Sequence, residues 1–154
     1  MHSIASELRI QRLVAGDEPV AIMLFAMMAS VFEEGEHVEP LERDYVRMLL
    51  ARSDFFALAA IQGGEVVGGV TGHVLPMTRS RSAELFIYDL AVRPEHQRRG
   101  VGRRLVEALT ELAQAQGIAT SFVAADNDDT HALSFYRALG GEPAPVTMFT
   151  FARG

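Results

Sequence analysis

The hydrophobic and polar positions of this chain change period several times, and each change marks an element. Leu8 to Val14 alternates, which predicts a short first strand. Asp17 is placed to cap a helix, and Pro19 fits the first turn, where its missing N–H costs nothing. The apolar run from Val20 to Phe32 then predicts a largely buried helix over Glu18 to Phe32. Glu33 to Pro40 reads as an acidic loop. Leu41 to Arg52 places Tyr45, Met48 and Leu49 at helical spacing, which predicts a second helix.

Phe55 to Gln62 and Glu65 to Leu75 are β-rich runs joined by Gly63-Gly64, a two-residue hairpin signal. Pro76 to Ala83 is polar and reads as a loop. Leu85 to Val92 has few polar side chains and predicts a central strand covered on both faces. Helical period returns at Val101 to Ala115, where Val101, Leu105, Leu109 and Leu112 form one stripe and Gly117 stops the helix. Thr120 to Ala125 predicts another strand. Asp129 or Thr130 should cap a helix running through Leu139 and ended by Gly140-Gly141, and Val146 to Phe151 a last strand. The order is β-α-α-β-β-β-α-β-α-β, an α/β (α+β) domain with a mixed sheet, expected as one domain over all 154 residues.

The junction between the central strand and its following helix carries the chemistry. Gln97-Arg98-Arg99-Gly100-Val101-Gly102 turns the chain from strand to helix. N–H groups in the first turn of a helix lack intrahelical partners, and the helix dipole adds roughly half a positive charge there. An anion is welcome at such an end. Gly100 and Gly102 let the backbone close on a ligand, and Arg98, Arg99, Arg103 and Arg104 add positive charge. No Lys follows the glycines as a P-loop requires, and the spacing is not that of the dinucleotide fingerprint.

Composition narrows the classes. The net charge of −6 argues against a general nucleic-acid binder, and a basic loop on an acidic chain suggests an anionic cofactor beside a cationic substrate. The absence of Cys excludes a thiol nucleophile and a Cys-ligated metal, and fits a cytoplasmic protein. The Val20 to Phe32 run is too short to span a bilayer, and Asp17 and Glu18 give it the wrong flank for a signal peptide. The His residues show no ligand spacing, so no metal is expected. Asp89 stands out within its strand, since an unpaired buried acid is costly; a structural hydrogen bond and a cationic substrate are both open to it. Asp126, Asp128 and Asp129, with Glu33, Glu34, Glu36 and Glu39 of the early loop, could line an acidic cleft.

The Gln/Arg-x-x-Gly-x-Gly string resembles the acetyl-CoA pyrophosphate loop of the GNAT superfamily of N-acetyltransferases, and the element order over nearly the whole chain is similar to that fold. Asp129-x-x-Ala132-x-x-x-Tyr136-x-x-x-Gly140 is similar to the family's Asn-x-x-Ala-x-x-x-Tyr-x-x-x-Gly-Phe, with Asp129 where Asn is usual and Gly141 in place of Phe. The resemblance implies acetyl-CoA as cosubstrate. Leu90, Ala91 and Val92 would lie along its pantetheine arm, Gln97, Arg98, Arg99, Gly100, Val101, Gly102 and Arg103 would hold its pyrophosphate, and Tyr136 would protonate the leaving thiolate. Asp126 is the acid placed to take the amine proton, and Asp89, Asp126, Asp128, Asp129, Glu34 and Glu36 would bind a cationic acceptor. Strings such as Phe55 to Ala60, Glu65 to Gly69 and Ile87 to Val92 look like the type I aminoglycoside 3-N-acetyltransferases. That likeness implies a small polycationic acceptor acetylated on the 3-amine of 2-deoxystreptamine by direct transfer, with no nucleic-acid or membrane partner and with a homodimer open. Another small amine or a protein N-terminus as acceptor, or a non-catalytic acetyl-CoA sensor, are the alternatives.

Overall fold

The computed structural model describes residues 6–33 and 39–154. The chain divides into two compact units, Met1–Ala124 and Ala125–Gly154. The first holds β1 (Arg9–Arg12), α1 (Glu18–Phe32), α2 (Arg43–Leu50), β2 (Phe55–Gln62), β3 (Glu65–Pro76), β4 (Ala83–Val92), a 3-10 turn (Pro94–His96), α3 (Val101–Ala115) and β5 (Thr120–Val123); the second holds α4 (Thr130–Ala138). The five strands lie in the order β1-β2-β3-β4-β5, antiparallel except for the parallel pair β4 and β5.

The β2–β3 hairpin turns on Gly63 and Gly64, both left-handed at φ 61° and 76°, the combination a two-residue turn needs to follow the twist of its strands. The glycines of β3 mark the two sheet faces. A Cβ on Gly69 would overlap Leu24 of α1, whereas one on Gly72 would press on Leu85 of β4 and Leu109 of α3. α1 and α2 therefore cover one face, over Phe55, Ala57, Ala59 and Ala91, and α3 covers the other.

Four expectations are corrected. β4 is not covered on both faces: Leu85, Ile87 and Ala91 are buried, but Tyr88 between them is exposed. In α2 the buried positions are Val46 and Leu50, while Tyr45 and Met48 face solvent. Asp17 sits at the N-cap of α1, but its carboxylate accepts from the Val14 N–H rather than from the helix. No strand forms at 146–151, although the segment is rich in β-formers; Val146, Met148, Phe149 and Phe151 are all exposed, so no sheet face buries them.

Glu18 is a buried charge that the sequence pattern hides. Its carboxylate accepts from the Gly16 N–H and from Arg47 Nε at 3.4 Å, tying the start of α1 to α2. Burial pushes its pKa up, but these bonds and the Arg43 charge outweigh it and leave the carboxyl below its ordinary range. Among the described residues no helix is long and apolar enough to cross a membrane.

Candidate active site

In the first unit the junction after β4 has the features of an anion cradle. Arg98 is left-handed at φ 62° and Gly100 at φ 82°, and Gly100 is the N-cap of α3. Two left-handed residues in three curl the backbone so that successive N–H groups converge toward the helix end. A Cβ built on Gly100 would meet nothing within 4 Å, so the concavity is open. Gln97 closes the turn by donating from Nε2 to the Val92 carbonyl at 3.0 Å. Arg98 and Arg99 are exposed beside the cradle. Arg103 pairs with Glu107 at 3.5 Å, and Arg104 donates to the Leu8 carbonyl at 3.0 Å, so Arg104 ties α3 to the chain entering β1 rather than adding to the cradle. A doubly charged phosphate group fits these donors, with Gln97 to Arg103 as the residues that would hold it.

Upstream, β4 offers half of its length as an open edge. β5 pairs only with Glu84 to Ile87. The Arg93 N–H donates to the Val67 carbonyl at 2.8 Å, which fixes the parity of the strand end: Ala91 and Arg93 turn their backbone groups toward β3, and Leu90 and Val92 turn theirs away. The Gln97 side chain reaches Val92 on that outer side. Leu90 and Val92 thus present amide groups to an edge where, among the described residues, no strand follows, and Ala91 packs inward.

The parity change is produced by a bulge. Val70 pairs with Leu90 and Gly72 with Ile87, so Thr71 alone faces both Tyr88 and Asp89. The buried Thr71 hydroxyl accepts from the Asp89 N–H at 3.2 Å. Asp89 is half-buried, and loss of water raises its pKa; the nearby His73 charge acts the other way without cancelling it. A carboxyl raised toward neutrality beside an open strand edge can accept a proton more readily than a solvated one.

The second unit holds the remaining candidates. Asp126 and Asp128 are exposed, and their backbone carbonyls accept from the Asp129 and Thr130 N–H groups in the turn before α4. Asp129 is the N-cap: its Oδ1 accepts from the Ala132 N–H at 3.0 Å, which gives the Asp in place of the family's Asn a defined local role. Tyr136 is half-buried in α4 with its ring edge-on to Phe135 at 5.1 Å. Burial raises its phenol pKa, and the Asp129 charge pushes the same way, so the hydroxyl keeps its proton at neutral pH. α4 ends with Gly140 left-handed at φ 93° and with Gly140 and Gly141 donating to the Arg137 and Tyr136 carbonyls. A Cβ on Gly141 would sit 3.0 Å from the Tyr136 carbonyl oxygen, which suits glycine where the family pattern has Phe. Glu34 and Glu36 lie outside the described residues. The bulge, Thr71 and His73 carried no sequence signal, because they become a site only through pairing with β4.

Comparison with known proteins matches this geometry to a family. The Acetyltransferase (GNAT) family profile matches residues 21–140. Among solved structures, an aminoglycoside acetyltransferase from an uncultured soil metagenomic sample is 32% identical with a TM-score of 0.90, over 96% of this chain and 99% of that one. A second soil metagenomic aminoglycoside acetyltransferase, in complex with sisomicin, is 30% identical with a TM-score of 0.85, over 95% and 97%. Among curated proteins, the ribosomal protein bS18-alanine N-acetyltransferase of Escherichia coli (strain K12) is 32% identical over 63 residues, 41% of this chain. That match spans 43% of the relative, less than half its length. With the profile matching most of the chain and a full-length likeness beside it, this chain belongs to the acetyltransferase (GNAT) family.

Proposed function

We propose that this protein is an acetyl-CoA-dependent N-acetyltransferase whose acceptor is an aminoglycoside, acetylated at the 3-amine of the 2-deoxystreptamine ring. The observation that carries the acceptor class is the full-length likeness, at 32% identity, to a soil aminoglycoside acetyltransferase. The anion cradle and the open edge at Leu90 and Val92 support the cosubstrate. The 3-amine follows from the sequence resemblance alone.

Acetyl-CoA supplies an acyl group activated as a thioester. Gln97 to Arg103 hold its phosphates, and Leu90 to Val92 align its amide-bearing arm along the strand edge. The acceptor amine must lose a proton to form the new C–N bond. Asp89 is the acid whose surroundings suit that task, since burial raises its pKa; Asp126, exposed at the turn before α4, is the second candidate through a bridging water. As the C–S bond breaks, Tyr136 donates its phenolic proton to the sulfur. The remaining acids, Asp128 and Asp129, attract the polycation, and Glu34 and Glu36 would add to that field. A cytoplasmic setting, where acetyl-CoA is made and used, belongs to the same proposal.

The test is thiol release from acetyl-CoA across 2-deoxystreptamine compounds, linear polyamines and an N-terminal alanyl peptide, with the acetylated nitrogen read by NMR. Transfer to the 3-amine is the expected result. Acetylation of the peptide alone would move the reading toward the bS18-alanine relative, and no thiol release with any amine would leave an acetyl-CoA sensor. Tyr136→Phe should lower turnover by ~10²–10⁴ with little change in acetyl-CoA affinity. Unchanged turnover across pH removes Tyr136 from the chemistry.

A further inference from the structure

The part of their sheet face that α1 and α2 leave uncovered carries a row of aromatic rings. Phe55 of β2, His73 of β3, Phe86 of β4 and Phe122 of β5 are cross-strand partners in register, so their side chains share one face. Phe55 and His73 are 5.2 Å apart between ring centroids, and Phe86 and Phe122 stack at 4.7 Å with their planes 10° from parallel. Tyr88, two residues along β4, meets His73 and Phe86 edge-on at 5.3 and 5.4 Å. The row is anchored at one end by buried Phe55 and opens toward the other, where Phe122 is 41% and Tyr88 58% exposed. Ordinary sheet packing does not explain it, because rings this large leave water for a core or a ligand.

The charges on the same face indicate what covers it. Asp89 lies beside Tyr88 in the bulge, within reach of the His73 charge. Glu84 is two residues before Phe86 on the same strand, hence on the same face. Exposed ring faces bounded by two carboxylates suit a ligand with flat apolar faces and several ammonium groups. A linear polyamine matches the charges but has no ring to stack, and an apolar peptide matches the rings but not the charges. We propose that Tyr88, Phe86 and Phe122 form the wall on which the sugar or cyclitol rings of a cationic acceptor lie, with Asp89 and Glu84 on its ammonium groups, so that the wall selects ring-bearing amines over linear ones. This rests on the aminoglycoside reading and adds the residues that would set its selectivity.

The experiment measures calorimetric affinity and KM for a 2-deoxystreptamine aminoglycoside and for spermidine in wild type, Tyr88→Ala, Phe122→Ala and Tyr88→Phe. Both alanine positions are exposed, so folding is checked by thermal melting and is expected to hold. Each alanine variant should weaken aminoglycoside binding about tenfold more than spermidine binding, and Tyr88→Phe should restore most of the loss. Equal losses for the two amines, or none, overturn the wall while leaving the aminoglycoside reading intact. A wild type that acetylates no aminoglycoside but binds it sinks the reading of the activity, and the variants' affinities still decide the wall. A wild type that neither binds nor acetylates aminoglycosides, or that acetylates an alanyl peptide with the same dependence on Tyr88, overturns both.

Discussion

The two halves of the proposed site that lie in the first unit are built from different material. The cradle after β4 is a backbone device: left-handed Arg98 and Gly100, the N–H groups at the start of α3, and the Gln97 bond to the Val92 carbonyl. The proposed acceptor face is a side-chain device, with rings from four strands and a carboxylate in the bulge whose burial raises its pKa. A backbone device depends on residues adjacent in sequence and on helix geometry, so a single backbone-altering substitution disturbs it as a whole. A side-chain device depends on register between distant strands, so single substitutions can retune it without disturbing the first.

That contrast yields predictions in which one half fails and the other does not. The largest effect belongs to Asp89→Asn. If Asp89 is the proton acceptor, the change should lower turnover by ~10²–10⁴ while acetyl-CoA affinity stays near wild type. The same change should stabilise the fold. Burial raises the Asp89 pKa, so the native state disfavours its charge, and stability is lost as pH rises from the ordinary aspartate range through the raised value. Asn escapes that loss, so the variant should melt higher than wild type at neutral pH, and the gap should close below the ordinary aspartate pKa. If turnover falls more in Asp126→Asn than in Asp89→Asn, the base lies at the turn before α4 instead.

Gly102→Val attacks the other half. A branched side chain in the first turn of α3 crowds the place where phosphate oxygens would meet the N–H groups. Acetyl-CoA affinity should drop about thirtyfold, the loss expected for roughly one hydrogen bond to a charged group. Aminoglycoside affinity measured without acetyl-CoA should hold. Equal loss on both sides would mean that the two halves are not separable. An unchanged acetyl-CoA Kd in a folded variant would remove the cradle assignment.

The same division decides what the sequence could reveal. Gln97 to Gly102, the Gly63-Gly64 turn and α1 and α3 over their full spans are local, and spacing alone carries them. Tyr136 stands out through the resemblance of its spacing from Ala132 and Gly140 to the family pattern, and Gly141 is accounted for only by its approach to the Tyr136 carbonyl. Phe86 and Tyr88 read as core because an apolar residue looks the same whether a helix covers it or not; only the placement of α1 and α2 separates the cases. Glu18 reads only as the polar start of a helix, and its partner Arg47 lies on another helix. Val146 to Phe151 is rich in β-formers, but a ladder needs a partner that composition does not supply. Arg98 is the reverse case, because nothing about an arginine announces a left-handed backbone.

Arg98 gives the smallest and sharpest test of the cradle. A non-glycine residue held at φ 62° costs on the order of 1 kcal/mol, which a chain retains where the surroundings impose the conformation. Arg98→Gly removes that cost and gives part of it back through the greater freedom of glycine in the unfolded chain. Arg98→Ala removes the same charge and keeps the strain. The glycine variant should therefore be more stable than the alanine variant by several tenths of a kcal/mol to about 1 kcal/mol in denaturant melts. Both should lose acetyl-CoA affinity by the same modest factor and show the same weakened salt dependence, since each lacks one cation near the phosphates. If alanine is as stable as glycine, the turn is not left-handed in solution and the N–H groups do not converge. If glycine alone keeps wild-type affinity, the turn's shape matters there and the Arg98 charge does not.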